Sequence, residues 1–278
     1  MLTPLGIDCE ESRQALAAVT PRTGELLRSA GDGAAPVKGS NWTLGEVGAH
    51  MAVALVAFTL AVQGETDVLA PYIPRTDDFA ERLRAVTSNT LALEPQREPG
   101  ALGDLIERRA EDFLSATADR PGDQAVATPW YGERTHLSVA TATAMLVGEQ
   151  LMHGYDIART IRAPWPISSE DARLVIRGLT SMLPLVAKPA PAGGADSRYD
   201  IRIRGGPRFV VQRDKGKVTV EPSPSEAPCC YISADPVAFL LVAYGRANQW
   251  GPVAKGRLVA GGRRPWRALR FKNLFYNP

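Results

Sequence analysis

The chain has 278 residues, 45% apolar and 22% charged, a length and composition that suit two domains with real cores and exclude a wholly disordered polymer. No run of about 18 apolar residues marks a membrane span, the N-terminus lacks the basic-then-apolar order of a secretory signal, and three cysteines, Cys9, Cys229 and Cys230, build neither a disulfide framework nor a CxxC zinc ribbon, so a cytoplasmic protein is expected. The net charge of +2 conceals an imbalance: 14 Lys and Arg face 5 Asp and Glu from Tyr199 onward, against 18 and 25 before it.

Such asymmetry points to two separately built units. The basic one, closing in RRPWRALRFK, suits either its own acidic neighbour or a small anionic ligand, with nucleic acid not favoured.

In chain order, residues 7–29 carry apolar positions at helical spacing, with Pro21 expected to break or restart the helix. After a Gly/Ala/Pro loop, Thr43-Leu-Gly-Glu46 has the pattern of a capping box and opens an apolar helix to about Val62. Amphipathic stretches near 77–94 and 101–118 are separated by Pro95 and Pro99. A helix is predicted from about Ser138 to Ile161, stopped by Ala-Pro-Trp-Pro. Another starts at Ser168-x-x-Asp171 and leads to Val186.

Residues 188–198 then read as a Pro/Gly/Ala linker between a helical domain, 1–187, and an α+β domain, 199–278. In the latter, Tyr199-Ile201-Ile203, Phe209-Val211 and Val218-Val220 alternate between turn residues, the pattern of hairpins. Asp235–Ala243 reads as a helix and Gly256–Val259 as a short strand.

Of the three histidines, His50 lies about two turns into the helix capped by Thr43, and His153 lies four residues after Glu149 on another apolar helix. Residues four apart share a helix face, so antiparallel packing would join His50, Glu149 and His153. Two imidazoles and a carboxylate with open positions suit catalytic zinc or ferrous iron. A surface Glu–His pair and a hydrogen-bonded core histidine are the plainer alternatives. Asp156 is a candidate to orient His153, against a surface pairing with Arg159 or Arg162. His136, near a turn, is read as a solvent or capping residue. Gly48 and Gly148 either clear space beside the ligands or allow close helix packing.

Two stretches resemble a known family. Asn41–His50 is similar to the tryptophan-to-histidine signature of mycothiol-dependent maleylpyruvate isomerases, and Gly148–Ala158 to their second signature, which runs from glutamate through histidine to aspartate. The C-terminal pieces Ile232–Asp235, Phe239-Leu-Leu, Gly245-Arg246 and Gly256–Gly262 resemble the family's second domain. The resemblance implies a DinB-like four-helix bundle followed by a small sterol-carrier-protein-like α+β domain. It implies a divalent metal, most commonly zinc, on His50, Glu149 and His153, with mycothiol, the thiol of actinobacteria, as cosubstrate.

The expected activity is therefore isomerisation or S-transfer, by addition of mycothiol to a small electrophile. Asp156 would orient His153 or move a proton, while Arg246 and then Arg257 are the candidates to grip anionic ligand groups. No protein cysteine is needed. The alternative is a small-molecule or lipid carrier, or a scaffold, with a residual metal site. Substrate and oligomeric state stay open.

Overall fold

The computed structural model describes residues 5–189, 196–222 and 228–276. The chain forms two compact units, Ile7–Pro166 and Ile167–Pro278. The division therefore falls earlier than the sequence boundary at 187, and the helix Ser169–Met182 goes with the second unit. Helical periodicity reveals an apolar face but not which body covers it. Residues 190–195 of the expected linker lie outside the described residues, and Ser197 and Arg198 already belong to a strand.

In the first unit, α1 (Cys9–Arg28), α2 (Leu44–Gln63), α4 (Pro99–Thr117) and α5 (Val139–Ile161) form a four-helix bundle, with α3 (Phe79–Leu91) packed beside α2. Pro21 does not break α1. The carbonyl its ring leaves unbonded is that of Ala17, an exposed residue. Leu16, Val19, Leu26 and Leu27 hold both halves of the helix to the core. Pro99 is likewise no separator. It occupies the first turn of α4, where a missing N–H costs nothing.

Thr43 forms the expected capping box: its Oγ1 accepts from Glu46 N at 3.2 Å and Thr43 N donates to the Glu46 carboxylate at 2.8 Å. The helix that follows is long and apolar enough to cross a membrane by length and composition alone. Its apolar side chains serve the bundle core, where Leu44, Met51, Ala52 and Leu55 are fully buried. Gly48 on this helix faces Leu102, which a Cβ would meet at 3.0 Å, so it permits helix packing rather than room at the ligands.

A hairpin unseen in the sequence, β1 (Ala125–Ala127) with β2 (His136–Ser138), leads into α5. Ser138 ends the strand and caps the helix, its Oγ accepting from Thr141 N at 3.1 Å. His136 is exposed, with Nδ1 3.2 Å from the Arg134 carbonyl, and the cap belongs to Ser138.

The second unit holds α6 (Ser169–Met182), packed on α7 (Pro236–Ala243), the short α8 (Trp250–Ala254) and a five-stranded sheet. Its strands are β3 (Ser197–Ile203), β4 (Arg208–Asp214), β5 (Lys217–Glu221), β6 (Cys230–Ala234) and β7 (Leu258–Gly261), in the order β5-β4-β3-β6-β7. β3 and β6 run parallel and the other pairs antiparallel. Of the alternating positions read from the sequence, Tyr199, Ile201, Ile203, Phe209, Val211 and Val218 are buried and Val220 partly so, while Asp200 and Val210 between them are buried as well.

Asp200, on the opposite face of β3, has a fully enclosed carboxylate that accepts from Arg202 Nε at 2.9 Å and Arg208 Nη2 at 2.8 Å. Burial alone would raise its pKa, but the two guanidiniums outweigh it and hold the group below the usual aspartate range. A lowered folded-state pKa stabilises the protein above the unfolded value of about 3.9, and that stability is lost as pH falls through the folded value. We expect Asp200→Asn to cost about 1–2 kcal/mol at neutral pH, since hydrogen bonds to charged groups exceed neutral ones but these arginines are half open to solvent screening. The deficit should shrink below about pH 4, which urea titrations at several pH values would read.

Candidate metal centre

Two helices of the first unit supply the cluster. The Thr43 cap fixes the start of α2 and so the direction of His50, while Glu149 and His153 project one turn apart from α5. The Glu149 Oε2 atom lies 3.4 Å from His50 Nε2 and 3.2 Å from His153 Nε2. One donor atom from each of the three residues falls within 4.8 Å of the others. All three side chains are partly open, at 19% for His50, 25% for Glu149 and 15% for His153, so a ligand can reach them.

Burial would push the Glu149 carboxyl up. Hydrogen bonds from His153 and His50 overcome it and hold the group well below the usual carboxylate range. Glu149 is thus ionised, with both Nε2 atoms turned toward one oxygen.

The donor set fits a divalent cation. Zinc sits about 2.0–2.2 Å from histidine nitrogen and carboxylate oxygen in tetrahedral sites, which places neighbouring donors about 3.4 Å apart. The two distances to Glu149 Oε2 match that spacing without helix movement. Three protein donors leave at least one position open, the pattern of a catalytic rather than a closed structural site.

The other face of His153 meets Asp156, whose Oδ2 lies 3.9 Å from Nδ1. Asp156 is buried, with 8% exposure. Arg159 stacks over Tyr155, its Cζ 5.5 Å from the ring centroid.

Two neighbours went unassigned in the sequence reading. Trp42, at the head of the first signature, packs its ring 5.0 Å from His50 and 6.3 Å from His153 between centroids. It walls one side of the cluster. Tyr131, buried in the turn 129–131, has its phenol pushed well above its ordinary pKa by burial, with the charge on Glu149 adding to it. It therefore stays neutral and keeps its proton. The signal for Trp42 was its place in the signature; Tyr131 had only the turn-like TPWYGE around it.

Arg246 and Arg257 lie in the second unit. Arg246 Nη1 donates to the Tyr244 carbonyl at 2.8 Å. Arg257 Nη2 sits 2.6 Å from Oδ1 of Asp235, the cap of α7. Cys9 contacts Arg13 on α1, and Cys229 and Cys230 hold their sulfurs 3.8 Å apart. Burial and its neighbour push the Cys230 thiol up to about 12, which leaves it protonated.

A helical bundle bearing two imidazoles and a carboxylate on facing helices, joined in sequence to a five-stranded α+β unit, defines a chain of two units whose first carries a candidate metal centre. The family model described as the mycothiol maleylpyruvate isomerase N-terminal domain matches residues 13–158, more than half of the chain, and the chain belongs to that family. A solved structure of the mycothiol-dependent maleylpyruvate isomerase shares the fold at 15% identity, with a TM-score of 0.51 over 92% of this chain and 93% of that one. A histidine-to-alanine mutant of that isomerase gives 16% identity at the same TM-score and coverage. At such identities the likeness is one of fold: a DinB-like bundle followed by a sterol-carrier-like α+β domain. No curated protein matches.

Proposed function

We propose that the protein is a metal-dependent cytoplasmic enzyme that adds mycothiol to a small electrophile, in an isomerisation or S-transfer reaction. The observation that supports this most is the convergence of His50, Glu149 and His153 at the spacing of three ligands around one cation. In this reading those residues hold a divalent metal, with zinc favoured by the nitrogen and carboxylate donors. A bound cation would supply Lewis acidity, making the thiolate available at neutral pH although a free thiol titrates near about 8.5.

The remaining roles fall to the chain's own groups. Asp156 orients the His153 ring from its Nδ1 side, or takes up a proton there. Trp42 excludes water from one wall. Neutral Tyr131 adds no further negative charge beside Glu149. Arg246 and Arg257 are assigned to the anionic groups of cosubstrate or substrate.

The test is mycothiol-dependent consumption of a panel of electrophiles, including maleylpyruvate, by metal-loaded protein. Turnover requiring both thiol and metal is expected. Metal binding that never supports thiol-dependent turnover on any member would contradict the enzyme reading. Asp156→Asn should weaken metal affinity about 10–100-fold, as loss of a ligand-orienting partner does, and a competition titration with a chromogenic chelator would measure it.

A further inference from the structure

Where β3 begins and β4 ends, the sheet of the second unit opens into a cleft of about 470 Å³, within the range of roughly 300–1,000 Å³ found for small-molecule sites. Four of its lining residues are arginines: Arg198, Arg213, Arg263 and Arg264. Strand register puts Arg198 opposite Gln212 and Arg213 opposite Ser197, so the two arginines leave the same end of neighbouring strands on opposite faces of the sheet. Arg264 is held from β6's side, its N–H donating to the Cys229 carbonyl at 3.0 Å.

Among the described residues the charges lining this cleft are predominantly basic. Arg198 has Gln212 and, at 3.8 Å, Glu221. Arg213 is only 7% exposed, donates through Nη2 to the Lys188 carbonyl, and has a buried Nε with no partner. Among the described residues no carboxylate lies within 4.0 Å of Arg213, Arg263 or Arg264. Two acids, Asp196 and Asp214, reach the rim, and Asp196 is engaged by Lys215 N at 3.1 Å. A largely buried guanidinium without a counter-charge is costly unless something anionic joins it. Cys229 also lines the cleft, but its thiol donates to the Arg198 carbonyl at 2.9 Å, so the site offers charge and hydrogen bonds rather than a free nucleophile.

We propose that this cleft binds a small, multiply charged oxyanion, a phosphoryl group or clustered carboxylates, gripped by Arg213, Arg263 and Arg264. Planar guanidinium forks match such oxygens two at a time, and water is a poor competitor for them in a recessed site. The cleft is distinct from the arginines assigned to mycothiol chemistry. Ile203, at the far end of β3, pairs with Ala234, next to which Asp235 binds Arg257. The seven residues of β3 set that end about 20 Å from the cleft at a strand's rise.

Calorimetric titration of inorganic phosphate into the chelator-treated full-length chain, at fixed ionic strength with sodium chloride as the comparator, tests this. Saturable one-site binding is expected. Arg263→Ala with Arg264→Ala, both at exposed positions, should weaken it at least about tenfold with unchanged far-UV dichroism and melting temperature. Arg213→Lys should weaken it as well, because an ammonium lacks the fork. Citrate binding more tightly than phosphate would assign the site to polycarboxylates, and the reverse to phosphoryl groups. Heats indistinguishable from chloride for both anions, or binding untouched by the exposed double substitution, would overturn the proposal.

Discussion

Replacing Glu149 with alanine is expected to abolish cation binding at the bundle. The carboxylate is the shared neighbour of both imidazoles, 3.4 Å from His50 Nε2 and 3.2 Å from His153 Nε2, and without it two imidazole nitrogens on separate helices remain. The loss should exceed about 100-fold in affinity, beyond the roughly 10–100-fold that removing an outer partner of a ligand costs. His50→Ala should behave alike, since it removes the only donor that α2 contributes to the cluster. Because a ligand that binds only the folded state stabilises it by about 2.7 kcal/mol at 100 times its Kd, zinc should raise the melting temperature of the wild-type protein and leave that of Glu149→Ala unchanged. Equal zinc-induced shifts in both proteins would place the cation elsewhere.

Gly154→Val is expected to produce the largest loss of stability. Gly154 follows His153 directly and lies under the Trp165 ring: a Cβ there would stand 2.2 Å from ring carbon Cζ2. The ring cannot easily retreat. Its Nε1 donates to the Leu151 carbonyl at 3.0 Å, and the Arg22 guanidinium covers it at 4.6 Å from the centroid. Overpacking a well-filled site costs typically about 1–3 kcal/mol and sometimes more; with the ring pinned, we expect about 3. The same displacement would tilt the α5 turn that carries His153, so the variant should also bind metal more weakly. Trp165→Leu in the Gly154→Val background should restore part of the stability by removing the obstructing ring. Denaturant unfolding of the two variants beside the wild type would show it, and a Gly154→Val protein as stable as wild type would contradict the packing described.

What the sequence disclosed and what it hid follow from the range of the forces involved. Helix starts are written locally: Thr43 with Glu46, Ser138, Ser168 and Asp235 each satisfy amides three residues away, so those boundaries were legible. The pairing of Glu149 with His153 was legible for the same reason, being a matter of helix pitch. The approach of His50 depends on how α2 packs against α5, and only the resemblance of two signatures tied the helices together in advance.

Other features were long-range and left no local trace. The three-residue strands of the β1–β2 hairpin are too short for alternation to register. Pro21 looked like a break because its own exposure, and that of Ala17 whose carbonyl it strands, belongs to the folded bundle. The assignment of α6 to the second unit rests on its packing with α7. Trp42 and Tyr131 took on a role only when distant segments brought them beside the histidines and Glu149. The arginine cleft likewise forms from strand register and a loop after β7, while the basic surplus after Tyr199 suited its own acidic neighbour as well as an anionic ligand.

The most direct measurement is X-ray absorption at the zinc edge of the metal-loaded protein, recorded before and after addition of mycothiol. The account predicts two imidazole nitrogens and a carboxylate oxygen at about 2.0–2.2 Å, joined on thiol addition by one sulfur at about 2.3 Å. A coordination shell that lacks the two imidazoles, or that admits no sulfur at saturating thiol, would contradict it.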